Sequence, residues 1–584
     1  MESSDPPKGQ EGSPKRSPLD LIMNQIRKRR SFTDRKKSSV SRLFRTSESN
    51  DKIDGGVSEM KETVSAEGKE GRENTEPGKE GSDTADSEIC SVVGWGRVKQ
   101  FVEKLGKTPD SQYLSLCHCD LTATDVTELA TLLPFLSQLE VMDLSWNELV
   151  GGALKALVFH LQHVGRLREL KLSNCRLTPQ DLAALGEALD CVPQLEVLDL
   201  SWNPNVGKGN LRCLTEHLHS GNKLREFLLV DCQLSEADVV ALSEALNGMS
   251  CLEILDISNT RLLLKEVEKL GCSLRATPRL KTLKLSMCGL QPETLKILSE
   301  TLKFLPALQH LDLSCNKEAG GGFTPVFSSL ALTTHLQSLD IHSCCLRVND
   351  ISALVQVLPS LRELTELDVS SNKNIGDVVM SLFPILPLSN MKRLPLNNCN
   401  LSSETYQALV SAMQSLSQLE SLNVSWNKRI SGNLKQLLEP LRANSMLQEL
   451  RLSSCDLTTE DLLHLASAAK RGALSQLKRL DLSYNGSVGD GGWVSLFGEA
   501  GSLKGLEELD VSLRPSTSSP VSSWLPALLE ALPKLTSLRH VSLKRWAFSS
   551  RETEKLEKTL QKRNVVAEYD LVSPAVQPAD LIPA

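Results

Sequence analysis

Aromatic residues are scarce in this chain. Tryptophan, tyrosine and phenylalanine make up 4% of 584 residues, although 40% are hydrophobic. Leucine supplies most of the apolar content, which points to a regular core built from one side chain. No uninterrupted apolar run approaches the ~20 residues that a membrane-spanning helix requires. The opening residues, MESSDPPKGQ, contain no apolar stretch of the kind a secretory signal needs. These absences predict an intracellular, cytoplasmic protein whose 15 cysteines are reduced thiols. No cysteine pair is spaced C-x-x-C, and Cys117 and Cys119 form C-x-C without a second pair, so no metal is expected. There is no G-x-x-x-x-G-K-[ST] loop, and the ten histidines do not cluster along the chain. The sequence therefore names no catalytic residue, cofactor or small-molecule substrate. A net charge of −7 is modest for this size and implies no nucleic acid.

What is present is a repeat. From about residue 92 to 546 the pattern L-x-x-L-x-L-x-x-(N/C) recurs. Its last position falls at Cys119, Asn147, Cys175, Asn203, Cys232, Thr260, Cys288, Asn316, Cys344, Asn372, Cys399, Asn427, Cys455, Asn485, Arg514 and Trp546. That makes 16 units, spaced 27 to 30 residues apart until a last step of 32. Residues 1–91 read as a disordered segment, and 547–584 as a closing helix (Arg551 to Asn564) followed by a proline-containing loose tail.

Within one unit, Leu167, Leu170 and Leu172 alternate inward along a short strand. Thr178 can cap a following helix, with Asp181 three residues on, and Leu182, Leu185 and Leu189 form one helical stripe. The same S/T-x-x-D spacing recurs at Thr122/Asp125, Ser235/Asp238 and Thr458/Asp461. One unit cannot complete its own burial, so units must stack, strands into a parallel sheet and helices outside it. A helix is wider than a strand, and the stack must curve with the sheet concave. Odd units carry Cys. Even units mostly carry Asn and a Gly-containing turn, as in SWNELVGG and SYNGSVGDGG; the glycines at 320–322 are expected to supply positive φ there. The alternating cysteines are expected to form a buried ladder of thiols donating to turn carbonyls. This Cys/Asn alternation resembles the ribonuclease-inhibitor-like class of leucine-rich repeats over roughly residues 95–550. The resemblance implies an α/β horseshoe solenoid, with a concave parallel sheet, convex helices, a protein-binding role and no catalytic residue.

Three columns should face away from the core. One carries Asp143, Asp199, Asp256, Asp312, Asp368 and Asp481 in even units, against Lys171, Lys284 and Arg451 in odd ones. Another is nearly all serine, small because the inside of a curve is crowded. The third, at the edge of the concave face, places Trp146, Trp202, Trp426 and Tyr484 in even units, where others have Asn259, Cys315 and Ser371. Two strands apart, Trp146 and Trp202 should lie ~10 Å from each other. Exposed aromatics are favoured interface anchors, which makes these four, with Asp143 and Asp199, the candidate protein-binding residues; packing of each ring over its own turn is the competing reading. The expected function is a non-enzymatic scaffold or inhibitor that captures a protein partner. The alternative is a regulator of enzyme turnover, such as a GTPase activator acting through the rim of the array.

The N-terminal segment is split by charge. Lys15 to Arg45 holds eleven basic residues against two acidic ones, and Thr46 to Glu88 thirteen acidic against five basic. Arg27, Lys28, Arg29 and Arg30 follow an apolar face of Leu19, Ile22, Met23 and Ile26. A nuclear import signal, an amphipathic helix for a membrane surface or partner, and a solvated tail all fit this pattern. Ser31, Ser38 and Ser39 follow basic pairs, the setting of a basophilic kinase site, where a phosphate would oppose the positive charge. The block is therefore expected to set location. Residues 1–50 fused to a fluorescent reporter should localise it, and Ser31→Glu or alanine at Arg29 and Arg30 should disperse it. A reporter that is diffuse from the outset would leave the segment a solubilising tail.

Overall fold

The computed structural model of the chain divides into two units, Met1–Thr108 and Pro109–Ala584. The described residues are 111–443, 445–521 and 523–570, all in the second. The basic and acidic blocks, including Arg27, Lys28, Arg29, Arg30, Ser31, Ser38 and Ser39, lie outside the described residues. Among the described residues, no helix is long and apolar enough to cross a membrane.

The second unit is the α/β solenoid that the repeat predicts. Seventeen three-residue strands form one sheet, and every pairing in it is parallel. Each strand pairs with its equivalent one repeat on, as Val141↔Glu169↔Val197. The leucines that alternate along the strands and the helical stripe are buried: Leu167, Leu170, Leu172, Leu177, Leu182 and Leu185 are all within 1% of full burial. The odd units with Cys carry helices of 10 to 12 residues, such as Pro179–Ala188, Glu236–Leu246 and Thr459–Lys470. Most even units make shorter ones, such as Leu154–Val158 and Leu434–Leu438. Residues 551–564 fall on helix Ser550–Arg563 and its cap. Beyond it Val566–Glu568 adds a further parallel strand against His540–Ser542, within the stretch that sequence read as tail.

Two buried polar side chains tie each unit to its neighbour. In Asn147 the side-chain oxygen accepts the N–H groups of Cys119 and Leu121, while its amide donates to the carbonyls of Leu116 and Leu144. Asn203, Asn316, Asn372 and Asn485 repeat this fork, and all are at most 2% exposed. Between them, each buried cysteine donates across the repeat, as Cys175 to Leu144 O at 3.2 Å and Cys344 to Leu313 O at 3.1 Å. Burial pushes the Cys175, Cys232, Cys288, Cys399 and Cys455 thiols up to about 12, so they stay protonated.

The capping aspartates do more than cap. Asp181 accepts from the Thr178 N–H and hydroxyl, and also from Gly152 N and Leu154 N of the preceding unit. Asp238, Asp350 and Asp461 reach back in the same way. A glutamate is one methylene longer and would overrun this position, which accounts for Asp in the capping box. The preceding glycines fit the arrangement. A Cβ on Gly151 would sit 1.8 Å from the Arg176 carbonyl oxygen, and one on Gly320 2.0 Å from that of Cys345. At 320–322 only Gly321 has positive φ; Gly320 is required for close approach instead.

The fork is broken once in mid-array. Thr260 stands where Asn would, and its hydroxyl is buried without a hydrogen-bond partner. At the far end, the Trp546 indole N–H donates to Val511 O at 2.8 Å in place of an amide, amid buried Trp493, Phe497 and Trp524. Asn316→Ala should cost about 3 kcal/mol or more, because four buried backbone groups each lose a hydrogen bond. Thr260→Asn should instead gain about 1–2 kcal/mol by restoring the fork. Urea unfolding of both chains checks this; a Thr260→Asn protein less stable than its parent would refute the fork as the limiting contact.

Candidate protein-binding face

The face away from the helices is built from the columns that point off the sheet, and the structure assigns them unequal work. The aspartates cap their own strands: Asp143 accepts Ser145 N and Asp199 accepts Ser201 N, each at 3.0 Å. The second oxygen of Asp199 takes the Ser173 hydroxyl at 2.6 Å. Lys171 lies in register between Asp143 and Asp199 but pairs with Glu169 at 2.8 Å. The column's cross-strand pair forms further on, between Lys284 and Asp256 at 3.5 Å. Most of the serines, expected to face outward, are buried: Ser145 and Ser173 are 6% exposed. Their hydroxyls accept from the next strand, as Ser145 Oγ from Ser173 N. Serine there is a hydrogen-bonding fit as well as a small side chain. At the strand entry a true ion-pair ladder runs Glu140–Arg168–Glu196–Arg225–Glu253–Lys281, with spacings of 2.7 to 3.7 Å.

The aromatic column is different. Its backbone is left-handed throughout, with φ +63° at Trp146, +62° at Trp202 and Trp426, and +63° at Tyr484. That conformation suits Gly or Asn and disfavours large side chains. It points the rings out of the strand, leaving Trp146, Trp202 and Trp426 40%, 41% and 54% exposed, and Tyr484 half-buried. The rings then lean together. Trp146 and Trp202 have centroids 6.5 Å apart, not ~10 Å, because side chains tilt along the sheet where Cα atoms cannot. His118 stacks on Trp146 at 5.3 Å, and Trp426 meets Tyr484 edge-on at 6.4 Å. The result is two aromatic clusters on one column, one in the first repeats and one towards the last. Each ring packs against a ring two units away, not only over its own turn.

Midway between them three columns change together. Asp312, Asp340 and Asp368 stand side by side in register; His342 replaces the usual serine, and Cys315 replaces the aromatic. His342 Nδ1 lies 2.7 Å from Asp340 Oδ1, and its Nε2 lies 3.2 Å from Cys315 Sγ. The Asp340 carboxylate and then Cys315 hold the imidazole up at about 11. Burial and the neighbouring Asp340 charge push Asp368 up to about 6. Spacing along the chain does not bring these residues together. The signal that could have found them is the coincidence of three column exceptions in adjacent repeats.

A carboxyl raised in the folded state costs stability where it must ionise, above about 6 for Asp368, and costs nothing below its ordinary value of 3.8. Asn can take over the strand cap, as Asn423 does for Ser425 N at 3.1 Å. Asp368→Asn should therefore stabilise the chain at pH 7.5 by roughly 1 kcal/mol, and the gain should disappear towards pH 4. Thermal midpoints at several pH values test this; a pH-independent gain would point to packing instead.

A family model described as Leucine Rich repeat matches residues 361–378, 443–466 and 474–497. Ribonuclease inhibitor of Sus scrofa is 28% identical over 407 residues, covering 68% of this chain and 88% of that protein. That of Mus musculus is 27% identical over 399 residues, covering 67% and 87%. NACHT, LRR and PYD domains-containing protein 5 of Homo sapiens is 28% identical over 373 residues, 59% of this chain but 30% of that longer protein. The chain has the fold of a leucine-rich-repeat solenoid, and ribonuclease inhibitors are among the proteins it is similar to.

Proposed function

We propose that this chain is an intracellular, non-catalytic scaffold or inhibitor that captures a folded protein on its sheet face, with the two aromatic clusters as anchors. The observation that carries this reading is the exposure of Trp146, Trp202 and Trp426 at left-handed positions. A bulky residue there costs about 1 kcal/mol or more against Asn or Gly, and all three residues remain exposed to solvent. Aromatic side chains recur in such settings as binding anchors, because they remove large apolar area from water while losing little rotational freedom. Two anchors separated by most of the array favour a partner large enough to span both, which a folded protein is and a short peptide is not. The relatives named as inhibitors of ribonuclease align over most of their length, which supports capture of a protein across the array. Asp143 and Asp199 would add polar contacts beside the first cluster, although Asp143 has one oxygen committed to its strand cap and Asp199 has both oxygens accepting, from Ser201 N and the Ser173 hydroxyl.

The full chain serves as bait in a cell lysate, and the recovered partner is then measured in isolation. Alanine at both Trp146 and Trp202 should weaken binding by about 2 kcal/mol or more, roughly 30-fold. Unchanged affinity together with a lower thermal midpoint would show that the rings serve packing alone.

A further inference from the structure

We infer that Asp340, Asp368 and His342 form a binding site for a divalent transition cation of the zinc type on the sheet face. Strands His310–Asp312, Ser338–Asp340 and Glu366–Asp368 are neighbours, and their last residues lie in register. Asp312, Asp340 and Asp368 thus make the one run of three carboxylates in this column among the described residues. Like charges directly opposed across strands ~4.8 Å apart repel. In three other odd units the middle place goes to a base, Lys171, Lys284 or Arg451. Here it is another aspartate, and the arrangement leaves negative charge for a cation to neutralise.

His342 makes the cluster more than an acidic patch. One ligand atom from each of Asp340, His342 and Asp368 lies within 4.8 Å of the other two, on half-buried side chains that solvent can reach. Donors bound to one ion at ~2.1 Å stand about 3.4 Å apart in a tetrahedron. Closing the observed gap requires small side-chain rotations and no change of backbone. The pair His342 Nδ1 and Asp340 Oδ1, 2.7 Å apart, shares a proton; the ion would take that proton's place. Asp368 keeps Oδ1 on Ser370 N at 2.8 Å and has its other oxygen for the metal. His342 Nε2 would then carry the proton and donate to Cys315 Sγ, 3.2 Å away, fixing the ring as outer partners of metal-bound histidines do. Carboxylates alone would suit calcium or magnesium, whereas an imidazole among them favours zinc and its neighbours in the first transition row.

The test uses the full chain without a histidine tag, stripped by a chelator and then titrated with Co²⁺ by visible absorption and with Zn²⁺ by competition against a chromophoric chelator. One ion per chain is expected. His342→Ala and Asp368→Asn should each weaken it at least about tenfold, whereas Cys315→Ser should keep the stoichiometry. Circular-dichroism melts of each variant separate lost ligation from lost fold, and Asp368→Asn removes repulsion and should fold at least as well as the parent. No bound Co²⁺, or equal binding by parent and His342→Ala, would overturn the site. Binding that survives Asp368→Asn but fails in Cys315→Ser would overturn this set of ligands.

Discussion

This array must bury turns whose backbone groups have no strand or helix to pair with, and in most even units the side-chain amide of one asparagine resolves that. Unpaired N–H and C=O groups in a core cost more than most single contacts return. Asn147 and its equivalents accept two N–H groups and donate to two or more carbonyls, which uses the full capacity of an amide. Three of the groups each holds, two N–H groups and one carbonyl, belong to the neighbouring unit. Burial of the leucines therefore depends on a contact that exists only when units stack, and the capping aspartates add a second bond of the same kind on the helix side. Stability in such an array is a property of interfaces between repeats more than of repeats.

The same constraint shapes the binding face. With the turn locked from behind, the chain leaves nearly every strand through a left-handed residue. The scaffold does not need an aromatic there: Asn259, Cys315 and Ser371 adopt nearly the same φ, +60°, +59° and +57°. This position can therefore vary without loss of fold, and the exposed rings at the two ends stand on a frame indifferent to them.

The repeat phase, the inward leucines and the Cys/Asn alternation were legible in sequence because each is set within one unit and then reiterated. The thiol ladder followed from the same periodicity. The second role of Asp181 was not legible, since its extra partners, Gly152 and Leu154, belong to another unit. The buried serines misled for a related reason. Position along a strand tells which way a side chain starts, but not that the next strand's N–H closes over it. The tilt of Trp146 onto Trp202 likewise arises from free torsions beyond the Cα trace. The cluster at His342 is the sharpest case: Cys315, Asp340 and His342 are unremarkable in the linear order and adjoin only once register is known.

Parallel sheets of this kind carry a hazard at their ends, where a row of unpaired backbone groups can recruit another chain. The strand Val566–Glu568 bears on this. It accepts the N–H of Leu543 through Glu568 and donates that of Val566 to Arg539, so it completes the hydrogen bonding of the strand before it. Its own residues are exposed or half-buried, with no inward leucine and with Glu568 drawn to Lys544 at 2.6 Å. An incoming strand would find backbone to pair with but no apolar row to bury, and a nearby fixed charge pair to desolvate. Among the described residues, the last strand is therefore a poor template, which disfavours growth of a stack of identical-looking units by addition of another molecule.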